Sequence, residues 1–227
     1  MEYATIFDMD GVLIDSYRPH YQSWRITAAE HGRDVTEAEF AATFGKTSRE
    51  VIAAWWPHQP KTEEQIRAID ERKEQIFRDL LREHFPLMPG VEKLVRDLHR
   101  NGIKLAIGSS GPPENVQFVV ERLPFRDLFE AIVHGRDVER GKPDPGIFLL
   151  AAQRLGVDPA NCAVVEDSPV GIEAAHRAGM IAIGLASTGR QRRELAAAEL
   201  VVDSHDELSP DRIVGLIRAK RRTQPKA

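Results

Sequence analysis

Two carboxylates spaced two apart, Asp8 and Asp10, close an apolar run and precede a glycine in Ile6-Phe7-Asp8-Met9-Asp10-Gly11. On an extended backbone, residues i and i+2 point to the same side. The pair therefore leaves the end of a buried strand side by side. Like charges that close repel, and each loses hydration unless a cation or a shared proton sits between them. Taken alone, the string also reads as two solvated aspartates at a turn. Groups of related chemistry follow later apolar runs. Ser109 follows Lys104-Leu105-Ala106-Ile107-Gly108, Lys142 stands in Gly141-Lys142-Pro143-Asp144-Pro145, and Glu166 with Asp167 follows Cys162-Ala163-Val164-Val165. Together they offer acidic oxygens for a hard divalent cation, one ammonium, one hydroxyl and several loop amides, a set able to handle phosphate.

Each member has a plainer reading. An isolated Lys142 is a solvated loop lysine, Ser109 caps a helix ahead of Pro112-Pro113, and Asp167 or Ser168 caps the helix opening near Pro169. What these readings leave unexplained is the common placement after strand patterns.

The elements that must position these residues alternate regularly from Gly90 onward. Strand patterns at 104–108, 131–133, 162–165, 181–185 and 200–202 are separated by helical ones, several stopped by Asn101-Gly102, Gly156 and Gly179. Such alternation predicts right-handed crossovers and an α/β, Rossmann-like open parallel sheet with helices on both faces. In that architecture the carboxyl ends of the strands share one edge, where ligands bind. Between the first strand and Gly90 the pattern is purely helical: 21–31, a Thr36/Glu39 capping box, a helix capped by Thr47 or Ser48 and stopped at Pro57, and a charged helix from Thr62 through Leu81. This block reads as an inserted all-helical cap domain, 16–88, within a core of 1–15 and 89–227. Its two crossings, 14–16 and 85–90, form a joint able to hinge, so closure of the cap on substrate is expected.

Composition sets outer bounds. At 227 residues, with 42% hydrophobic and 29% charged residues, the chain suits a globular core with an insert. A net charge of −4 gives no reason to expect nucleic acid as partner, and no apolar run approaches membrane-spanning length. The single cysteine, Cys162, lies among apolar neighbours, which fits a small buried hydrophobe and a reducing, cytoplasmic location. The basic stretch Arg218–Arg222, with Lys226 beyond, is expected to be a frayed, solvated helix end. A monomer or weak homodimer is expected.

At this point the chain resembles the haloacid dehalogenase superfamily of phosphotransferases, in its β-phosphoglucomutase-like and phosphatase branch. Asp8-Met9-Asp10-Gly11, Ser109, Lys142-Pro143 and Glu166-Asp167-Ser168 are similar to its four motifs, in order and over nearly the whole chain. The resemblance implies Asp8 as nucleophile, forming an aspartyl phosphate, and Asp10 as acid and then base. It implies Mg²⁺ held by the Asp8 carboxylate, the Asp10 backbone carbonyl and the Asp167 carboxylate. Glu166 is then a ligand or an outer acceptor, the second being favoured. Lys142 would offset charge shared by Asp8 and the phosphoryl group, and Ser109 would bind phosphoryl oxygens, with Ser110 beside it on the substrate.

The acid at position 10 argues against dehalogenation, since the superfamily's dehalogenases lack it. The remaining contest is the phosphoryl acceptor. In the helical insert, His20, Arg49 and Lys73 resemble positions at which the mutase branch handles Asp10's proton and grips a remote phosphate. By themselves, His20 is a satisfied interfacial residue and Lys73 one charge on a solvated helix face. Against the mutase, Gly111-Pro112-Pro113 after Ser109 supplies no side-chain donors. The expectation is therefore a Mg-dependent phosphatase of a small phosphorylated metabolite, a phosphate monoester, with sugar phosphates among the candidates. The alternative is a sugar-phosphate mutase, and a non-catalytic binding protein retaining the fold comes third.

Overall fold

The computed structural model describes residues 2–223 and divides into two compact units. One runs up to Asp15 and resumes at Leu87; the other is Ser16–Pro86. The chain opens with β1 (Ala4–Phe7), buried throughout, and then enters the helical unit. That unit comprises α1 (Tyr17–Glu30), α2 (Glu37–Ala41), α3 (Ser48–Trp55) and α4 (Glu63–Glu83). Thr36, Thr47 and Thr62 cap the last three helices, each accepting a backbone N–H from the residue three ahead, Glu39, Glu50 and Gln65, whose side chain bonds back to the cap. Between Thr47 and Ser48, the cap is thus Thr47. Aromatic and aliphatic side chains including Trp24, Phe40, Ile52, Trp55 and Ile69 form this unit's own core.

The second joint falls just ahead of the expected 88/89 boundary. Leu87 bridges Ile14, and the Met88 N–H donates to Leu13 O at 3.0 Å, so both residues belong with the sheet.

The sheet-bearing unit continues with α5 (Val91–Arg100), β2 (Lys104–Gly108), α6 (Pro113–Val120), β3 (Ala131–Val133), α7 (Gly146–Leu155), β4 (Cys162–Glu166), α8 (Pro169–Arg177), β5 (Ile181–Leu185), β6 (Leu200–Val202) and α9 (Pro210–Thr223). All six strands are parallel, in the order β3-β2-β1-β4-β5-β6. β1 is central, with Phe7 opposite Ile107 on one side and Val165 on the other. On one face Ala4 and Ile6 pack with Phe148 of α7 and Ile172 of α8. On the other, Phe7 meets Phe129 edge-on at 6.2 Å, and α5 and α9 cover the sheet. Each fully buried Val, Ile or Phe contributes about 1.5–3 kcal/mol. An exposed pair such as Lys93–Asp97 is worth about 1 kcal/mol or less. Sheet packing, not surface charge, therefore sets where the strand ends lie.

Cys162 is buried at the start of β4, and burial, with Asp158 adding to it, pushes its thiol up to about 12. The native protein is expected not to react with an aromatic disulfide reagent at pH 8, and to react fully once unfolded in urea. Rapid labelling of the native chain would contradict this burial.

The basic C-terminal stretch is exposed at Arg218, Arg221 and Arg222, as expected of a solvated end, but it is held within α9 rather than frayed. Burial of Ile213 and Ile217 fixes the rotation of α9 and brings three of its basic side chains within bonding distance of neighbouring segments. Arg218 Nε donates to the Tyr3 hydroxyl at 3.0 Å, Lys220 donates to Met180 O at 2.6 Å and pairs with Glu199, and Arg221 donates to Asn161 Oδ1. Lys226 lies outside the described residues. No helix among the described residues is long and apolar enough to cross a membrane.

Candidate active site

Because β1 lies between β2 and β4, the residues that follow these strands emerge side by side. Asp8 continues the ladder for one more bond, its N–H donating to Val165 O at 3.0 Å, and Ser109 does likewise to Val133 O at 3.0 Å. Past Asp8 the chain turns tightly. Met9 O accepts from the N–H of Leu13 at 2.8 Å and of Ile14 at 3.2 Å, and the Gly11 N–H donates to Ile14 O at 2.8 Å. This turn fixes the backbone that carries Asp10.

Lys142 reaches into the same edge from the loop before α7. Its ammonium donates to Asp8 Oδ1 at 2.5 Å, to Glu166 Oε1 at 2.7 Å and to Gly108 O at 3.2 Å, with its side chain only 6% exposed. The peptide between Lys142 and Pro143 is cis. Glu166, 1% exposed, is fully engaged: Oε1 receives Lys142, and Oε2 receives the Ser168 N–H at 2.7 Å and hydroxyl at 2.8 Å. Ser168 in turn accepts the Gly171 N–H at 3.1 Å and is the N-cap of α8, which settles the choice between Asp167 and Ser168. Asp167 is left facing the turn at Gly11. There φ is +73°, and a Cβ would stand 2.3 Å from Asp167 Oδ2, so both the backbone and the space require glycine.

Ligand oxygens of Asp8, Glu166 and Asp167 lie within 4.8 Å of one another, all three side chains buried. Burial pushes the Asp8 carboxyl up to about 7, Lys142 opposing and Glu166 and Asp10 adding to the rise. Burial, then Glu166 and Asp8, hold Asp167 well above the ordinary carboxylate range, with Arg190 opposing at 3.9 Å. Burial works against the Lys142 ammonium, but Asp8 and then Glu166 outweigh it and raise its pKa. Four acids (Asp8, Asp10, Glu166 and Asp167) thus face two cations (Lys142 and Arg190). An all-oxygen, charge-deficient cluster of this kind fits a hard divalent cation.

Ser110 is exposed next to buried Ser109, whose hydroxyl accepts the Gly111 N–H at 3.0 Å. In the helical unit, His20 and Lys73 come together: Lys73 Nζ is 2.9 Å from His20 Nδ1, and the imidazole stacks on Phe77 at 4.1 Å. Lys73 is not a solvated charge, since it is 3% exposed and pairs with Glu74 at 2.8 Å, near Trp24 and Phe77. Arg49 instead forms an exposed two-pronged pair with Glu63.

Three features were missed from sequence. Arg190, in the loop after β5, was open to detection, since the same strand-end rule applies to Ser187-Thr188-Gly189-Arg190. Ser168 as a partner of Glu166 was visible only as a cap. Gly171 carried no signal at all, yet a Cβ there would stand 1.9 Å from Glu166 Cδ. Gly171→Ala is therefore expected to displace Glu166 and loosen Lys142. We expect a loss of about 1–3 kcal/mol in thermal or urea unfolding and a lower kcat. An unchanged Tm and kcat would mean that Glu166 does not fill that space.

The family model described as haloacid dehalogenase-like hydrolase matches residues 4–179. The chain is 32% identical to the beta-phosphoglucomutase of Bacillus subtilis over 91% of each chain. It is 34% identical to a phosphorylated carbohydrates phosphatase of Thermotoga maritima, over 78% of this chain and 82% of that one. Among solved structures, a beta-phosphoglucomutase from Clostridium difficile superposes with a TM-score of 0.85 at 30% identity, covering 98% of this chain and all of the other.

Proposed function

Because this chain belongs to the haloacid dehalogenase-like hydrolases, we propose that it is a Mg²⁺-dependent phosphatase of a small sugar-phosphate monoester, working through an aspartyl phosphate on Asp8. The observation that carries the reading is the chain of contacts Asp8–Lys142–Glu166, with Asp167 alongside. A nucleophilic carboxylate and a phosphate dianion meet only where positive charge is already in place.

In the first step an Asp8 carboxylate oxygen attacks phosphorus, the bond to the ester oxygen breaks, and Asp10 gives its proton to the departing alkoxide. In the second, Asp10 takes a proton from water as the water oxygen attacks phosphorus. The bond to Asp8 breaks and inorganic phosphate leaves. Lys142 favours the charged form of Asp8 and offsets charge on the equatorial oxygens, while Ser109 and the amides beyond it receive those oxygens. Asp8, the Asp10 carbonyl and Asp167 would hold Mg²⁺, which when bound supplies charge neutralisation between carboxylate and phosphate. Glu166 fits the outer role, since both its oxygens are committed to Lys142 and Ser168. Ser110, His20, Arg49 and Lys73 are assigned to substrate contact.

Water is favoured as acceptor by the stretch after Ser109. Pro112 and Pro113 have no N–H, the Gly111 N–H is turned to Ser109, and Gly111 O accepts from Gly135 at 3.0 Å. The second reading, a mutase, is favoured by the beta-phosphoglucomutase relatives and by the His20–Lys73 pair. Incubation with β-glucose 1-phosphate and Mg²⁺ separates them: free phosphate supports the phosphatase, glucose 6-phosphate the mutase. Addition of EDTA is expected to stop either reaction, with recovery on excess Mg²⁺, and activity indifferent to EDTA would overturn the metal assignment.

A further inference from the structure

His205 lies in a short 3-10 turn after β6, His205–Glu207, and no step above uses it. It is 1% exposed. Its Nε2 stands 2.7 Å from Val12 O, across 193 residues of sequence, and its ring lies 6.5 Å from that of Phe7. Val12 belongs to the turn that carries Asp10. The internal bonds of that turn use the carbonyls of Met9 and Ile14, whereas the Val12 carbonyl accepts from His205. A carbonyl cannot donate, so the imidazole proton sits on Nε2. Burial holds the imidazole below the usual histidine range, which keeps it neutral. The 3-10 turn is itself anchored by Ser204, which accepts the Asp206 N–H at 3.1 Å, by Glu207, and by packing on α5.

We propose that His205 is a positioning residue for Asp10: by donating from Nε2 to Val12 O it holds the Met9–Ile14 turn at the angle that Asp10 needs to protonate the leaving group. The proposal rests on the acid role given to Asp10 above.

A general acid matters most when the leaving group is poor. An alkoxide from glucose 6-phosphate needs a proton as it departs, and p-nitrophenolate does not. His205→Phe keeps a planar ring and removes the donor; His205→Gln keeps an N–H. For His205→Phe, kcat/KM is expected to fall about tenfold or more on glucose 6-phosphate, within the range of a misplaced general acid, and about twofold or less on p-nitrophenyl phosphate. His205→Gln is expected to recover most of the loss. Equal falls on both substrates, or no fall on either, would overturn the proposal. If His205→Phe does not fold, the same substrate ratio is read on His205→Gln and His205→Met. Nitrogen NMR of the unaltered chain provides a further check, expected to find a neutral imidazole protonated at Nε2 between pH 6 and 8. A ring protonated at Nδ1 alone, with no proton on Nε2, would overturn the proposal. Failure of the unaltered chain on p-nitrophenyl phosphate would instead count against the phosphatase reading.

Discussion

Asp8→Asn is expected to abolish phosphate release while leaving the protein at least as stable. An amide offers no anionic oxygen to phosphorus, and removing a nucleophile typically lowers kcat on the order of 10⁴-fold or more. Stability moves the other way for a specific reason. Burial is the largest cause of the raised Asp8 pKa, at about 7. An acid whose folded pKa lies above its unfolded value binds a proton more readily when folded, so the folded state loses ground as pH rises from the ordinary carboxylate range through about 7. The asparagine carries no such penalty, and Lys142 retains Glu166 as a partner. At pH 8 without metal, the variant's Tm should equal or exceed that of the parent, and added Mg²⁺ should raise it less. Substantial remaining activity would contradict the nucleophilic role of Asp8, and a fall of several degrees in Tm would contradict the burial penalty.

Lys142→Met should lose both activity and stability. The ammonium is bonded to two carboxylates and a carbonyl, almost out of contact with water. Deleting it leaves Asp8, Glu166 and Asp167 clustered with one cation of the pair gone. Breaking a buried pair by removing one partner typically costs about 3–5 kcal/mol, far more than loss of an exposed pair such as Arg49–Glu63. Lys142 is also a cause that lowers the Asp8 pKa, so its loss drives that pKa above about 7. The deficit is therefore expected in full at pH 8 and shrinks as acid protonates Asp8 in the folded variant. Phosphate release should fall on the order of 10²-fold or more, as when one preorganised charge donor is removed. Urea unfolding of parent and variant at pH 6 and pH 8 provides the check. A deficit that grows toward low pH would reverse the sign of the argument.

The sheet was legible because buried parallel strands write themselves as short apolar runs. β2, β3, β5 and β6 have the bounds their patterns suggest, and β4 extends one residue further, to Glu166. The same regularity located the candidate site, since in a parallel sheet whatever follows the strands must share an edge. What was not legible depends on contacts between distant residues of no distinctive type. Gly171 is required because Glu166 lies against the first turn of α8, and nothing in Ser168-Pro169-Val170-Gly171 announces it. His205 sits in a turn three residues long, with no periodicity to give it a direction. Lys73 reads as one charge in a run of charges; its burial follows from where Trp24 and Phe77 lie in the folded helical unit. The bonds that the exposed basic residues of α9 make were not legible for a similar reason, because their partners Tyr3, Asn161 and Met180 come from three separate stretches of the chain.

The central claim is that the phosphoryl group passes through Asp8. Mass spectrometry of the protein, acid-quenched during turnover of a sugar phosphate with Mg²⁺, tests it most directly. One added phosphoryl group is expected on the peptide carrying Asp8, absent after EDTA and absent in Asp8→Asn. Phosphate released at the full rate with that peptide never phosphorylated, or with the label on another residue, would contradict it.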